Sequence, residues 1–134
     1  MSQLPYLTAI KTEITNKLPA LLTAAGISAM NEYVIGGPTD EEFLSIGCYL
    51  GPGDKDGLSD MFNPVIQMQL RGVNYVDSLK YYDVLYDLLN DIDPLTIGMT
   101  SLNRLSVTEF PPDETGTSVY LFFIQYKKDL DDCN

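Results

Sequence analysis

Apolar residues recur at every third or fourth position near the start of the chain: Leu4, Leu7, Ile10, Ile14, Leu18 and Leu21. That spacing puts them on one side of a helix and leaves Lys11, Glu13 and Lys17 on the other. Pro19 falls inside the pattern, and its missing N–H and its ring predict a kink or restart there. Gly26 predicts the stop. Tyr33, Val34 and Ile35 read as a strand ended by Gly36-Gly37-Pro38. Phe43 to Leu50 reads as a second strand, running into Gly51-Pro52-Gly53-Asp54-Lys55-Asp56-Gly57 as an exposed loop. After Pro64 the period changes to two. Ile66, Met68 and Leu70 fall on one face of a third strand; Gln67, Gln69 and Arg71 fall on the other.

Asn74 is placed to cap a second helix, Tyr75 to about Ile92. Leu79, Tyr82, Leu85, Tyr86, Leu89 and Ile92 form its apolar face, and Asp77, Lys80, Asp83, Asp87, Asn90 and Asp91 the opposite one. Asp93-Pro94 ends it. Two strands follow, Thr100 to Phe110 and Thr117 to Lys128, joined by the turn-forming run Pro111 to Gly116. The order α-β-β-β-α-β-β predicts an α+β domain: a mixed, mostly antiparallel sheet of about five strands with two helices packed on it. No repeat or linker divides residues 1–134, so one domain is expected, with the acidic residues 129–134 as a disordered tail. The last strand is apolar on both faces: Tyr120, Phe122, Ile124 and Tyr126 on one, Val119, Leu121 and Phe123 on the other. Such a strand is either covered on both sides or partly buried by another subunit, and two helices cover only one side of a sheet.

Composition then narrows the chemistry. The net charge of −11 opposes a grip on nucleic acid through its phosphates and opposes docking on anionic membranes. No basic-then-apolar leader opens the chain, and no run approaches the length of a spanning helix. The sequence contains no histidine, which removes the commonest general base, the commonest metal ligand and every Ser-His or Cys-His pair. The Gly-Pro turns lack the Gly-Lys-Ser/Thr of a phosphate loop. Cys48 and Cys133 fit neither a disulfide framework nor a zinc pattern, and Cys48 is expected in the core. Asp54-Lys55-Asp56-Gly57 starts like a calcium loop but places Ser59 and Val65 where glycine and glutamate are required. Asp83, Asp87 and Asp91 line one helix face and read as a solvated stripe. No enzyme, metal or cofactor is expected. Arg71 ends the third strand on its polar face, either in a surface ion pair or against a neighbouring subunit.

The unit Asn63-Pro64-Val65-Ile66-Gln67-Met68-Gln69-Leu70-Arg71-Gly72, followed by the helix Tyr75 to Leu89, resembles the tail-terminator and minor tail proteins of long-tailed bacteriophages. So does the aromatic closing strand Ser118 to Tyr126, and the resemblance runs over about residues 1 to 128. It implies a structural virion protein at the head-proximal end of the tail, made in the host cytoplasm. Copies would form a ring, usually hexameric, between the tail tube protein and the head–tail connector. DNA would pass through the pore without specific binding, and an acidic lining would keep it from sticking. The resemblance puts Arg71 near a subunit contact, and the loops carrying Asp40, Glu41 and Glu42, Asp54 and Asp56, and Asp113 and Glu114 at partner or lumen surfaces. The alternative reading is a non-enzymatic head–tail joining or tail-assembly adaptor that acts as a monomer or dimer.

Overall fold

The computed structural model describes residues 4–27, 44–51, 54 and 60–128, and the backbone of 31–35. Helix α1 spans Leu4–Ala24 and buries Leu7, Ile10, Ile14, Leu18 and Leu22. The expected stripe is right except at its ends: Leu22 is buried, while Leu4 and Leu21 are exposed. Pro19 does not restart the helix, which continues through it. The carbonyl that loses its donor there belongs to Thr15, an exposed residue, so the orphaned acceptor is on the solvent side of the helix. The helix ends in paired bonds from Ile27 N–H to the Leu22 carbonyl (2.8 Å) and from Gly26 N–H to the Thr23 carbonyl (3.0 Å).

The strands are β1 (Asn31–Ile35), β2 (Leu44–Tyr49), β3 (Met61–Phe62), β4 (Val65–Arg71), β5 (Ser101–Phe110) and β6 (Thr117–Lys127). β1 runs parallel to β2; β2 pairs antiparallel with β4, β4 with β6 and β6 with β5. The two-residue β3 also pairs with β6, and Phe62 opposite Tyr126 keeps the same register as Val65 opposite Phe123. β3 and β4 are therefore one course of chain along β6, broken at Asn63-Pro64. Pro64 has no N–H to give the ladder but still accepts from Ile124 N–H (3.3 Å). The result is the α+β order read from the sequence, with a sheet five courses wide and β5 along one side.

Both helices lie on the face that carries Ile46, Ile66, Met68, Leu70, Tyr120, Phe122 and Ile124, all buried. Helix α2 spans Tyr75–Asp91. Asn74 caps it as expected, accepting from Asp77 N–H at 2.8 Å. Its buried side is turned from the predicted one: Ser78, Tyr81, Leu85, Leu88 and Leu89 are buried, whereas Leu79, Tyr82 and Tyr86 are half-buried. The helix is wedged between the sheet and α1, so two sides of it need apolar cover. Tyr82 stacks on Tyr120 (5.4 Å between ring centroids) and on Phe122 (5.9 Å), fixing α2 over β6. Ser78 and Tyr120 share a buried hydroxyl bond of 2.8 Å beneath the first turn. After α2, Asp93 caps a short 3₁₀ turn, Pro94–Ile97. Cys48 lies in the core, where burial pushes its thiol up to about 12.

Candidate assembly surface

Arg71 and the hairpin between β5 and β6 come together at one end of the sheet. Arg71 pairs with Thr117 in the ladder, and the next N–H, Gly72, donates to the Gly116 carbonyl at 2.9 Å. Gly72 and Gly116 both take positive φ (74° and 75°), a conformation that lets two tight turns meet backbone to backbone. The side chain of Asp113 holds the hairpin loop. Its Oδ1 accepts from Thr115 N–H (2.8 Å), Thr115 Oγ1 (2.6 Å) and Thr117 N–H (3.1 Å). These bonds, the hydroxyl first, hold its carboxyl below the usual carboxylate range. Glu114 is exposed beside it. Arg71 is exposed and makes no ion pair among the described residues. One cation and two acids of the expected contact set thus share a corner.

Asp54 belongs to the opposite end of the sheet, and the expectation of an exposed loop there is wrong for the residues described. Gly51 and Asp54 are both buried. The Asp54 carboxylate accepts Gly51 N–H (3.0 Å) and, with both oxygens, Asn63 N–H (2.9 and 3.0 Å). It takes the donor that the break between β3 and β4 withdraws from the ladder. A β-carbon on Gly51 would lie 1.8 Å from the Asn63 carbonyl oxygen, so only glycine permits this approach. Burial raises the Asp54 carboxyl, against the pull of the Asn63 and Gly51 N–H groups. Asp54 is buried and acts as a structural clamp between Gly51 and Asn63. Asp40, Glu41, Glu42 and Asp56 lie outside the described residues.

The sheet face turned away from the helices carries Tyr49, Val65, Leu121, Val119, Phe123 and Phe110, by their places in the ladder. Near β2 and β4 this face is closed, with Ser45 and Gln69 buried. Toward β5 it opens: Phe123 is 40% exposed and Phe110 49%. A groove of about 500 Å³ lies here, between the Asn63-Pro64 break and Arg104, floored by Val65 and Phe123. A polar chain bounds its end, with Asn103 donating to Gln125 and Gln125 to the Asn63 side chain (2.9 Å). Among the described residues β5 pairs with β6 alone, and its free edge runs from the irregularity between Leu102 and Arg104 to Phe110. Arg104 is exposed and makes no ion pair among the described residues.

Sequence reasoning singled out the second apolar face of β6 but not Phe110, Arg104 or the edge position of β5. The signal was present: Ser101, Asn103, Arg104, Ser106, Thr108 and Glu109 make β5 far more polar than β4 or β6, as befits a strand paired on one side. Glu109 lies on the helix face, where its hydrogen bond raises the Tyr75 phenol. No three acids or cysteines converge as a metal site among the described residues. No helix among them is long and apolar enough to cross a membrane. No protein-family model matches the chain, and no curated protein matches it in sequence.

Proposed function

We propose that this protein is a structural subunit of a bacteriophage tail, the terminator that closes the head-proximal end of the tail tube. Copies form a ring, probed first as a hexamer, with the tube protein on one side and the head–tail connector on the other. DNA passes through the pore without being bound. The observation that carries this reading is the open side of the sheet: Phe110 and Phe123 stand exposed at β5 and β6, and among the described residues β5 is paired along one edge only. Such a surface suits a protein that works by being joined to others. The corner of Arg71, Asp113 and Glu114 offers charges for orienting the contact. The net charge of −11 suits a pore that lets a polyanion slide. The fold carries no histidine and no acid cluster among the described residues, and the role we assign requires neither.

The test is to add purified protein to polymerising tail-tube subunits and to image the product. Tubes of arrested length with a ring at one end support the proposal. Tubes that grow on unaltered, with no protein bound at their ends, overturn it.

A further inference from the structure

The free edge of β5 matches itself. Its uninterrupted stretch is bounded by the irregularity after Leu102 and by Pro111, so it runs from Arg104 to Phe110 and has Val107 at its midpoint. An antiparallel pairing with a second copy that uses the whole stretch therefore has its two-fold axis on Val107. In that register Ser106 faces Thr108 of the second copy, and Arg104 faces its Phe110. Residues opposite one another across a sheet lie on the same face. Arg104, Ser106, Thr108 and Phe110 are all on the face away from the helices, where Ser106 pairs with Phe123, Thr108 with Leu121 and Phe110 with Val119.

This places an exposed aromatic ring against a groove that suits it, twice. Phe110, 49% exposed, is at one end of the stretch. The groove floored by Val65 and Phe123, with Arg104 on its rim, is at the other end. The self-pairing carries each Phe110 to the Arg104 rim of the other copy. There the guanidinium, which has no ion pair among the described residues, can lie on the ring. No like charges oppose one another: Glu109 faces Leu105 of the second copy.

We infer that the free protein forms a two-fold dimer through β5, with Phe110 of each copy seated beside Arg104 of the other. This goes beyond the tail-terminator reading while drawing on the same β5 edge: a two-fold contact closes on itself whereas a ring needs a head-to-tail one, so the dimer is a state of the free protein and not the ring contact.

The experiment is sedimentation equilibrium of the full chain over a wide concentration range, for the parent and Phe110→Asp. The parent is expected to be a dimer, and the variant to dissociate at least about tenfold more readily, as for loss of an aromatic anchor made twice by the symmetry. Since Phe110 is half exposed, a parent-like circular dichroism spectrum and a cooperative melt check that the variant still folds. Register is read separately in a Cys133→Ser background. Ser106→Cys with Thr108→Cys should form a disulfide between copies, and Ser106→Cys alone should not. A parent that stays monomeric, a hexamer in place of a dimer, a Phe110→Asp dimer of undiminished strength, or cross-linking by Ser106→Cys alone each overturns the inference. The hexamer would do so while supporting the ring, and failure to cap tail tubes would leave the dimer standing.

Discussion

Asp54 and Asp113 each accept three contacts within 3.1 Å, and they should behave differently when removed. Asp113 serves donors that lie in water, in an exposed hairpin loop. When its carboxylate is cut to a methyl group, water takes over those donors, and Asp113→Ala should cost about 0.5–1 kcal/mol. Asp54 is buried, and its carboxylate answers the N–H groups of Gly51, itself buried, and of Asn63 at the strand break. Asp54→Ala leaves both donors without a partner, where water has little access. At about 1–2 kcal/mol for each unsatisfied donor, the cost is about 2–4 kcal/mol. For a chain of this length that lowers Tm by about 8–15 °C, against about 2–4 °C for Asp113→Ala. Thermal melts and urea titrations followed by circular dichroism measure both. The pH dependence supplies a second test. Burial raises the folded Asp54 pKa, so the native chain binds that proton more tightly than the unfolded one. The resulting stabilisation is complete below the ordinary value of 3.8 and is lost as pH rises through the folded value. The gap between parent and Asp54→Ala should therefore be widest in acid and narrow toward neutral pH. Equal costs for the two substitutions would refute the clamp, and a gap that widens with pH would refute burial as the dominant influence on the Asp54 carboxyl.

Three further substitutions probe the rest of the fold. Phe122→Ala empties a fully buried position under Tyr82 and should cost about 3–5 kcal/mol, measured by urea unfolding. Asn74→Ala removes the acceptor of Asp77 N–H and should cost about 1 kcal/mol, with faster hydrogen exchange confined to the first turn of α2. With Cys133→Ser in place, Cys48 should resist a thiol reagent in mildly alkaline buffer and react promptly in denaturant, because its buried thiol titrates only at about 12.

Periodicity made most of the architecture legible. The alternation of Ile66, Met68 and Leu70 against Gln67 and Gln69 fixed which face of β4 meets the helices, and Asn74 marked the first turn of α2. What stayed hidden depends on which chain segments become neighbours. Tyr81 and Leu88 are buried because α1 packs on that side of α2, and a helical wheel drawn for one helix does not contain the other. Pro19 is tolerated because the carbonyl it orphans faces water, a fact of orientation and not of composition. Met61-Phe62 is too short to show a period, and only its shared register with β4 identifies it as the same course of chain. Asp54 looked like a loop carboxylate because its donors, Gly51 three residues before it and Asn63 nine after it, are turned onto it by a strand end and a strand break that carry no sequence signature. The corner of Arg71 with Asp113 and Glu114 was likewise invisible until the β4–β6 register brought Gly72 to Gly116.

The β5 edge is the place where these local choices stop agreeing with a solitary fold. Strands that face water along one side are normally blunted by lysine, proline or a bulge within the strand, since an open ladder invites another chain. β5 has an irregularity near its start and a proline only after its end, and no lysine lies between Ser101 and Phe110. The stretch 104–110 is charged at Arg104 and Glu109 but holds no lysine, proline or bulge, and it has an exposed Phe110 at one end and a groove edged by Arg104 at the other. On the assembly reading proposed above, this edge and the face beside it are where another chain joins the sheet.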